Sequence, residues 1–110
     1  MIDDTIAKIE GRLQQSNSMK EENKTQLLNL LSTLKLEIEE LAKTEGKHAE
    51  SIAGFTSIST HEATRQDKDP QHLKHSIDEL ASSVEGFEVS HPTLVGTVNA
   101  LCVMLSNLGI

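Results

Sequence analysis

Pro92-Thr93-Leu94-Val95-Gly96-Thr97-Val98-Asn99-Ala100-Leu101-Cys102-Val103-Met104-Leu105-Ser106-Asn107-Leu108-Gly109-Ile110 contains no Asp, Glu, Lys, Arg or His. At about 100° per residue, Leu94, Val98, Leu101, Leu105 and Leu108 form one narrow stripe, widened by Val95, Cys102 and Met104. The other side is Gly96, Asn99, Ala100, Val103, Ser106 and Asn107, which is small and uncharged. A surface helix normally turns charge to water, and this one has none to turn. The expectation is a terminal helix covered on both sides by other helices.

Three further apolar stripes precede it. Ile2, Ile6, Ile9 and Leu13 follow a capping Asp3 or Asp4, and this first helix fades near Gln15. Ser16-Asn17-Ser18 reads as a turn, with Asn17 or Ser18 as the next N-cap and Glu21 and Glu22 in the first turn beyond. Leu27, Leu31, Leu34, Ile38, Leu41, Glu45, His48, Ile52 and Phe55 then alternate four and three apart, a heptad seam that turns polar at Glu45 and His48. Leu28, Leu30 and Leu36 add apolar surface beside it. The seam predicts one helix from Met19 to about Arg65, roughly 70 Å at about 1.5 Å per residue, and hence an elongated molecule. The alternative is two helices divided near Thr44–Lys47. Asp69-Pro70 is an acidic cap followed by proline at the first helical position. Leu73, Ile77, Leu80, Val84 and Phe87 form the stripe of a helix that must stop before Pro92. Ser90-His91-Pro92 is read as a structural turn into the last helix, capped by Ser90 or His91, with Gly109 closing it.

The fold class that follows is all-α, as a single domain spanning residues 1–110. Its architecture is an elongated bundle, or an antiparallel coiled-coil-like hairpin, with one long central helix and shorter N- and C-terminal helices. No stretch alternates with period two. Two Phe and no Trp or Tyr leave burial to aliphatic side chains, which suits helix-on-helix packing.

Composition also excludes function classes. A net charge of −7 and no Lys/Arg cluster argue against nucleic acid and anionic membranes. One cysteine forms no internal disulfide, and the acidic start Met1-Ile2-Asp3-Asp4 is not an apolar leader, so the cytoplasm is expected. The charge-free terminal stretch is near the length of a membrane span, but two Asn, two Thr, a Ser and a leading Pro weaken that reading.

No complete catalytic set appears. The histidines are His48, His61, His72, His75 and His91. His72 and His75 stand three apart on one helical face, and Glu45-x-x-His48 has the spacing used in di-metal bundles. His61-Glu62-Ala63-Thr64-Arg65 lacks the second histidine of a zincin motif. Cys102 reads as a small core residue with nothing near it in sequence to lower its pKa. No metal, cofactor or catalytic residue is expected. Gly96-x-x-x-Ala100 has small-xxx-small spacing, explained either by limited space inside the fold or by a seam for self-association.

Phe87-Glu88-Val89-Ser90-His91-Pro92-x-Leu94, with Leu108-Gly109-Ile110 at the end, resembles a family of short bacterial helical proteins known only as a domain of unknown function. The motif match covers the last quarter of the chain, and the helical plan agrees before it. The stretch from Gly46 to Asp69 departs from the family pattern in being richer in Ser, Thr and His. The resemblance implies a small cytoplasmic bacterial protein and no activity.

The expected function is a non-enzymatic, self-associating interaction or scaffold module, most simply a homodimer. Its interface is expected at Leu27, Leu28, Leu31, Leu34, Ile38 and Leu41 and at Gly96, Ala100 and Val103, with an unidentified protein partner as a further possibility. The competing readings are a metal-binding bundle using Glu45, His48, His61, His72 and His75, and a C-terminal membrane anchor.

Overall fold

A computed structural model describes residues 2–15 and 19–108. They form α1 (Ile2–Gln15), α2 (Glu21–Ala42), α3 (Gly46–Thr64), α4 (Pro70–Ser83) and α5 (Pro92–Leu108). Among the described residues there is no strand, so the all-α expectation holds. The Ser16-Asn17-Ser18 turn, the Asn17 or Ser18 cap and the Gly109 closure lie outside the described residues.

α1 buries Ile6, Ile9 and Leu13. It opens at Ile2, so Asp3 and Asp4 fall inside its first turn rather than at a capping position. It runs antiparallel to α2: Ser32 Oγ donates to Glu10 Oε2 at 3.2 Å, and Lys24 Nζ to the Gln14 carbonyl at 3.4 Å. α2 has Glu21 and Glu22 in its first turn and buries Leu27, Leu31, Leu34, Ile38 and Leu41.

The continuous helix expected from Met19 to Arg65 is instead two helices, divided within the alternative window. The Leu41 carbonyl accepts from Thr44 N–H (3.1 Å) and Glu45 N–H (2.8 Å), and Glu45 leaves helical geometry at φ −133, ψ 59. The seam turns polar here, so a straight continuation would hold Ile52 and everything after it away from the leucines of α2. Reversal puts both stripes on one core. Ile52 is fully buried, and that alone contributes about 2 kcal/mol.

The elongated shape is corrected with it. The molecule measures 37 × 25 × 22 Å with a radius of gyration of 13.0 Å, close to the roughly 13 Å of a compact chain this long. The 22 residues of α2 already span about 33 Å, so its length sets the long axis.

α3 touches all four other helices. Its buried side chains are mostly small: Ala49, Ala53, Thr56, Ser59, Thr60 and Ala63, with Ile52 the only large one. Small residues allow helix axes to approach closely, and Ser59 Oγ donates across to the Ser76 carbonyl of α4 at 2.9 Å. α4 begins as expected: Asp69 Oδ1 accepts from the N–H groups of Gln71 (3.1 Å) and His72 (3.2 Å), with Pro70 at the first helical position. It ends at Ser83, well before Pro92, and Gly86 takes φ +96.

α5 buries Leu94, Thr97, Val98, Leu101 and Leu105 against α2, α3 and α4. The expectation that it is covered on both sides is overturned. Gly96, Asn99, Ala100, Val103 and Asn107 face water. Once α2 and α3 fold into a compact unit, no helix among the described residues remains to cover that second side.

Candidate functional site

The surface left by this packing is concentrated where α5 meets α2. A groove of about 630 Å³ runs between them. Its α5 wall is Ala100, Val103, Met104, Asn107 and Leu108, and its α2 wall is Leu30 with Asn23, Gln26 and Asn29. Val103 is 63% exposed, among the most exposed large apolar side chains described. None of the nine lining residues is charged, although a quarter of the chain is. The polar lining is almost all amide, and an amide both donates and accepts hydrogen bonds.

Gly96 separates the two explanations of Gly96-x-x-x-Ala100. A Cβ built on Gly96 would meet nothing within 4 Å, so the fold's interior imposes no size limit there. Glycine inside a helix costs about 1 kcal/mol relative to alanine, and packing supplies no reason for it here or at Gly11 and Gly54, where an added Cβ would likewise meet nothing.

The expected interface residues separate into two groups. Leu27, Leu31, Leu34, Ile38 and Leu41 are fully buried, and their helix packs on α1, α3 and α5. They are core of the single chain. Leu28 is partly buried against that core. Gly96, Ala100 and Val103 are exposed on one face of α5. Sequence reading missed Leu30, Met104 and the amides of α2. Leu30 lies off the heptad seam, and the groove appears only when α5 is laid beside α2.

Ser90, His91 and Pro92 act as an organised turn. His91 N–H donates to the Phe87 carbonyl (2.8 Å), Val95 N–H to the His91 carbonyl (3.2 Å), and Ser90 Oγ lies 3.0 Å from His91 Nδ1. The Phe87 ring packs edge-on against His91 at 5.8 Å and against His48 at 5.5 Å. The α4–α5 turn is thereby held to the α2–α3 joint.

The candidate metal ligands are not gathered. Glu45 Oε2 and His48 Nδ1 pair at 3.1 Å at the α2–α3 joint. His72 lies 3.4 Å from Asp69 and His75 3.6 Å from Glu79, all on or beside α4. His61 lies in the last turn of α3. Among the described residues no three His, Cys, Asp or Glu side chains converge in a geometry that could hold a metal ion. No helix among them is long and apolar enough to cross a membrane. Cys102 Sγ lies 3.8 Å from the Ile77 carbonyl, and burial, with the Asp78 carboxylate second, pushes its pKa up to about 11.

A family model described as a domain of unknown function (DUF4404) covers residues 56–110, from the middle of α3 through α4, the Ser90-His91-Pro92 turn and α5. The match extends upstream of the C-terminal motif and includes part of the Ser/Thr-rich stretch. No curated protein and no solved structure matches the chain.

Proposed function

The chain belongs to the family described as a domain of unknown function (DUF4404), and from that membership, which supplies no activity, we propose a non-catalytic helical interaction module that pairs with a second copy of itself through the α2–α5 face. The carrying observation is the uncharged groove between α2 and α5. A chain of net charge −7 repels its own copy over most of its surface. The groove carries no like charges to bring together. Its amides are self-complementary, as a two-fold interface requires, because each can serve as donor to the other copy's acceptor. Gly96 and Ala100 allow a second helix to come close. Two-fold pairing would cover Val103, one of the exposed large apolar side chains of the monomer, and the partly buried Met104. The single cysteine supports a reducing, cytoplasmic setting.

Light scattering coupled to size exclusion tests the reading. The expected mass is twice the 12.1 kDa of the chain at high protein concentration, with Val103→Glu returning it to one chain. A wild-type mass that stays at one chain over a wide concentration range overturns it.

A further inference from the structure

Two adjoining clefts lie between α1 and α3, on helices distinct from those that line the α2–α5 groove; among the described residues the α1 and α5 backbones do not approach each other. The smaller, about 160 Å³, is bordered by Arg12, Thr60, His61 and Thr64 over Ile9 and Leu13. The larger, about 570 Å³, is bordered by Lys8, Arg12 and Ser57 among others. Arg12 belongs to both.

The charge here is the reverse of the chain's. Acids outnumber Lys and Arg by 17 to 10 overall, yet neither cleft has a carboxylate in its lining. Of the neighbouring acids, Glu62 is neutralised by Arg65 at 3.2 Å and Glu10 turns towards Ser32 on α2, while Asp4 lies one turn before Lys8 on α1. Lys24, Lys43 and Lys74 each have an acidic partner, Glu21, Glu40 and Asp78 in turn, while Lys20, Lys35, Lys47 and Lys68 have none among the described residues. Among the described residues neither Lys8 nor Arg12 has one.

A second observation is independent of charge. Thr60 is only 3% exposed, and its hydroxyl is the one buried side-chain polar atom described without a hydrogen-bond partner. A buried donor left unpaired is uncommon and destabilising. It borders the same small cleft as the unpaired Arg12 guanidinium. Thr64, by contrast, donates to the Thr60 carbonyl at 2.7 Å and is already satisfied.

We propose that the α1–α3 cleft is a binding site for a tetrahedral oxyanion, phosphate or the phosphate group of a small metabolite. Arg12 supplies a planar fork of donors suited to phosphate oxygens. The Thr60 hydroxyl donates a further bond from the interior, and His61 faces the anion from the rim. Lys8 adds positive charge in the larger cleft, which has room for the rest of a phosphate monoester. The plainer account is that Arg12 and His61, each in the last turn of its helix, only offset the negative ends of α1 and α3. That account gives Thr60 no acceptor and predicts no dependence on phosphate.

The test is an NMR titration of the full-length protein with inorganic phosphate, against sodium chloride at equal ionic strength and against acetate. Saturable shifts centred on Arg12, Thr60 and His61 are expected with phosphate and not with chloride. Arg12→Gln and Thr60→Val should each weaken phosphate binding about tenfold or more, as expected for a lost bond to a charged group. Thr60→Val keeps the side chain's shape, so the fold is retained. Lys43→Gln, exposed at the α2–α3 joint, should leave the affinity unchanged. Shifts no larger than with chloride overturn the proposal. So does equal binding of acetate, an affinity indifferent to both cleft variants, or an equal loss in Lys43→Gln.

Discussion

α2 and α5 are both rich in leucine, and the chain treats them differently. α2 hides its whole seam from Leu27 to Leu41 and keeps Lys, Glu and amide side chains for its outer side. α5 hides Leu94, Val98, Leu101 and Leu105 and has no charge for its outer side. The amount of apolar surface therefore does not identify an interface. Leu36 is 66% exposed on α2, but charged neighbours surround it in sequence, Lys35 and Glu37. Val103 has a similar exposure among residues with none. The side a helix leaves to solvent carries the signal, and the absence of charge there is what requires an explanation.

The largest expected effect tests the two sides of α5 with the same substitution. Leu101→Glu puts an unpaired carboxylate into the core and should cost about 3–5 kcal/mol. Val103→Glu should change monomer stability by less than about 0.5 kcal/mol. Chemical denaturation at concentrations where the chain is monomeric reads both, and similar losses would erase the distinction between the faces. On α2 the corresponding pair is Leu34→Ala and Leu36→Ala. The first leaves a cavity and should cost about 2–5 kcal/mol, the second within about 0.5. Equal melting points for these two variants would show that the seam is not core.

Smaller effects concern how α5 is seated. Gly86→Ala places an L side chain at φ +96, in the loop that sets α5 against α4, and should cost about 1–2 kcal/mol. Nothing lies within 4 Å of the added Cβ, so the whole cost is backbone strain. A neutral result in thermal melts would mean that the loop relaxes freely. Cys102 sits between the two sides of α5. With its pKa pushed up to about 11, the thiolate is scarce at pH 8. Alkylation by iodoacetamide should run at least about tenfold slower in the folded protein than in denaturant. The thiol stays protonated on folding while the unfolded chain's thiol ionises at about 8.5. This group's contribution to stability is therefore complete below that pH and lost as pH rises through about 11. A folded-state rate equal to the denatured one would place Cys102 on the open side.

Much of the fold was legible because it rests on local chemistry. The stripes of α1, α2 and α5 repeat at three and four residues, and the Asp69-Pro70 start is a hydrogen-bonding requirement of one helix end. The division at Thr44–Lys47 was legible only as an alternative. Helix propensity and the heptad period favour continuity there, and the stabilisation that decides against it comes from burying α3 on α2. α3 itself was nearly invisible as an organising element. Ala49, Ala53, Ser59 and Ala63 carry too little hydrophobic contrast to form a stripe, yet α3 is the one helix that touches all the others.

The candidate sites follow the same division. Gly96, Ala100 and Val103 could be named in advance, because a charge-free helix face is a property of consecutive residues. Leu30 and the amides opposite them, and the meeting of Arg12 with Thr60 across α1 and α3, could not be read from the chain. Residue pattern alone makes the protein helical, sets which stripes are apolar, and leaves its last helix without a charged side. That α3 lies at the centre, that the leucine seam is internal, and which polar groups share a cleft depend on how the helices pack. The physical reason is that periodicity records what each helix needs to bury. Where those needs are met depends on which other helices are near enough to meet them.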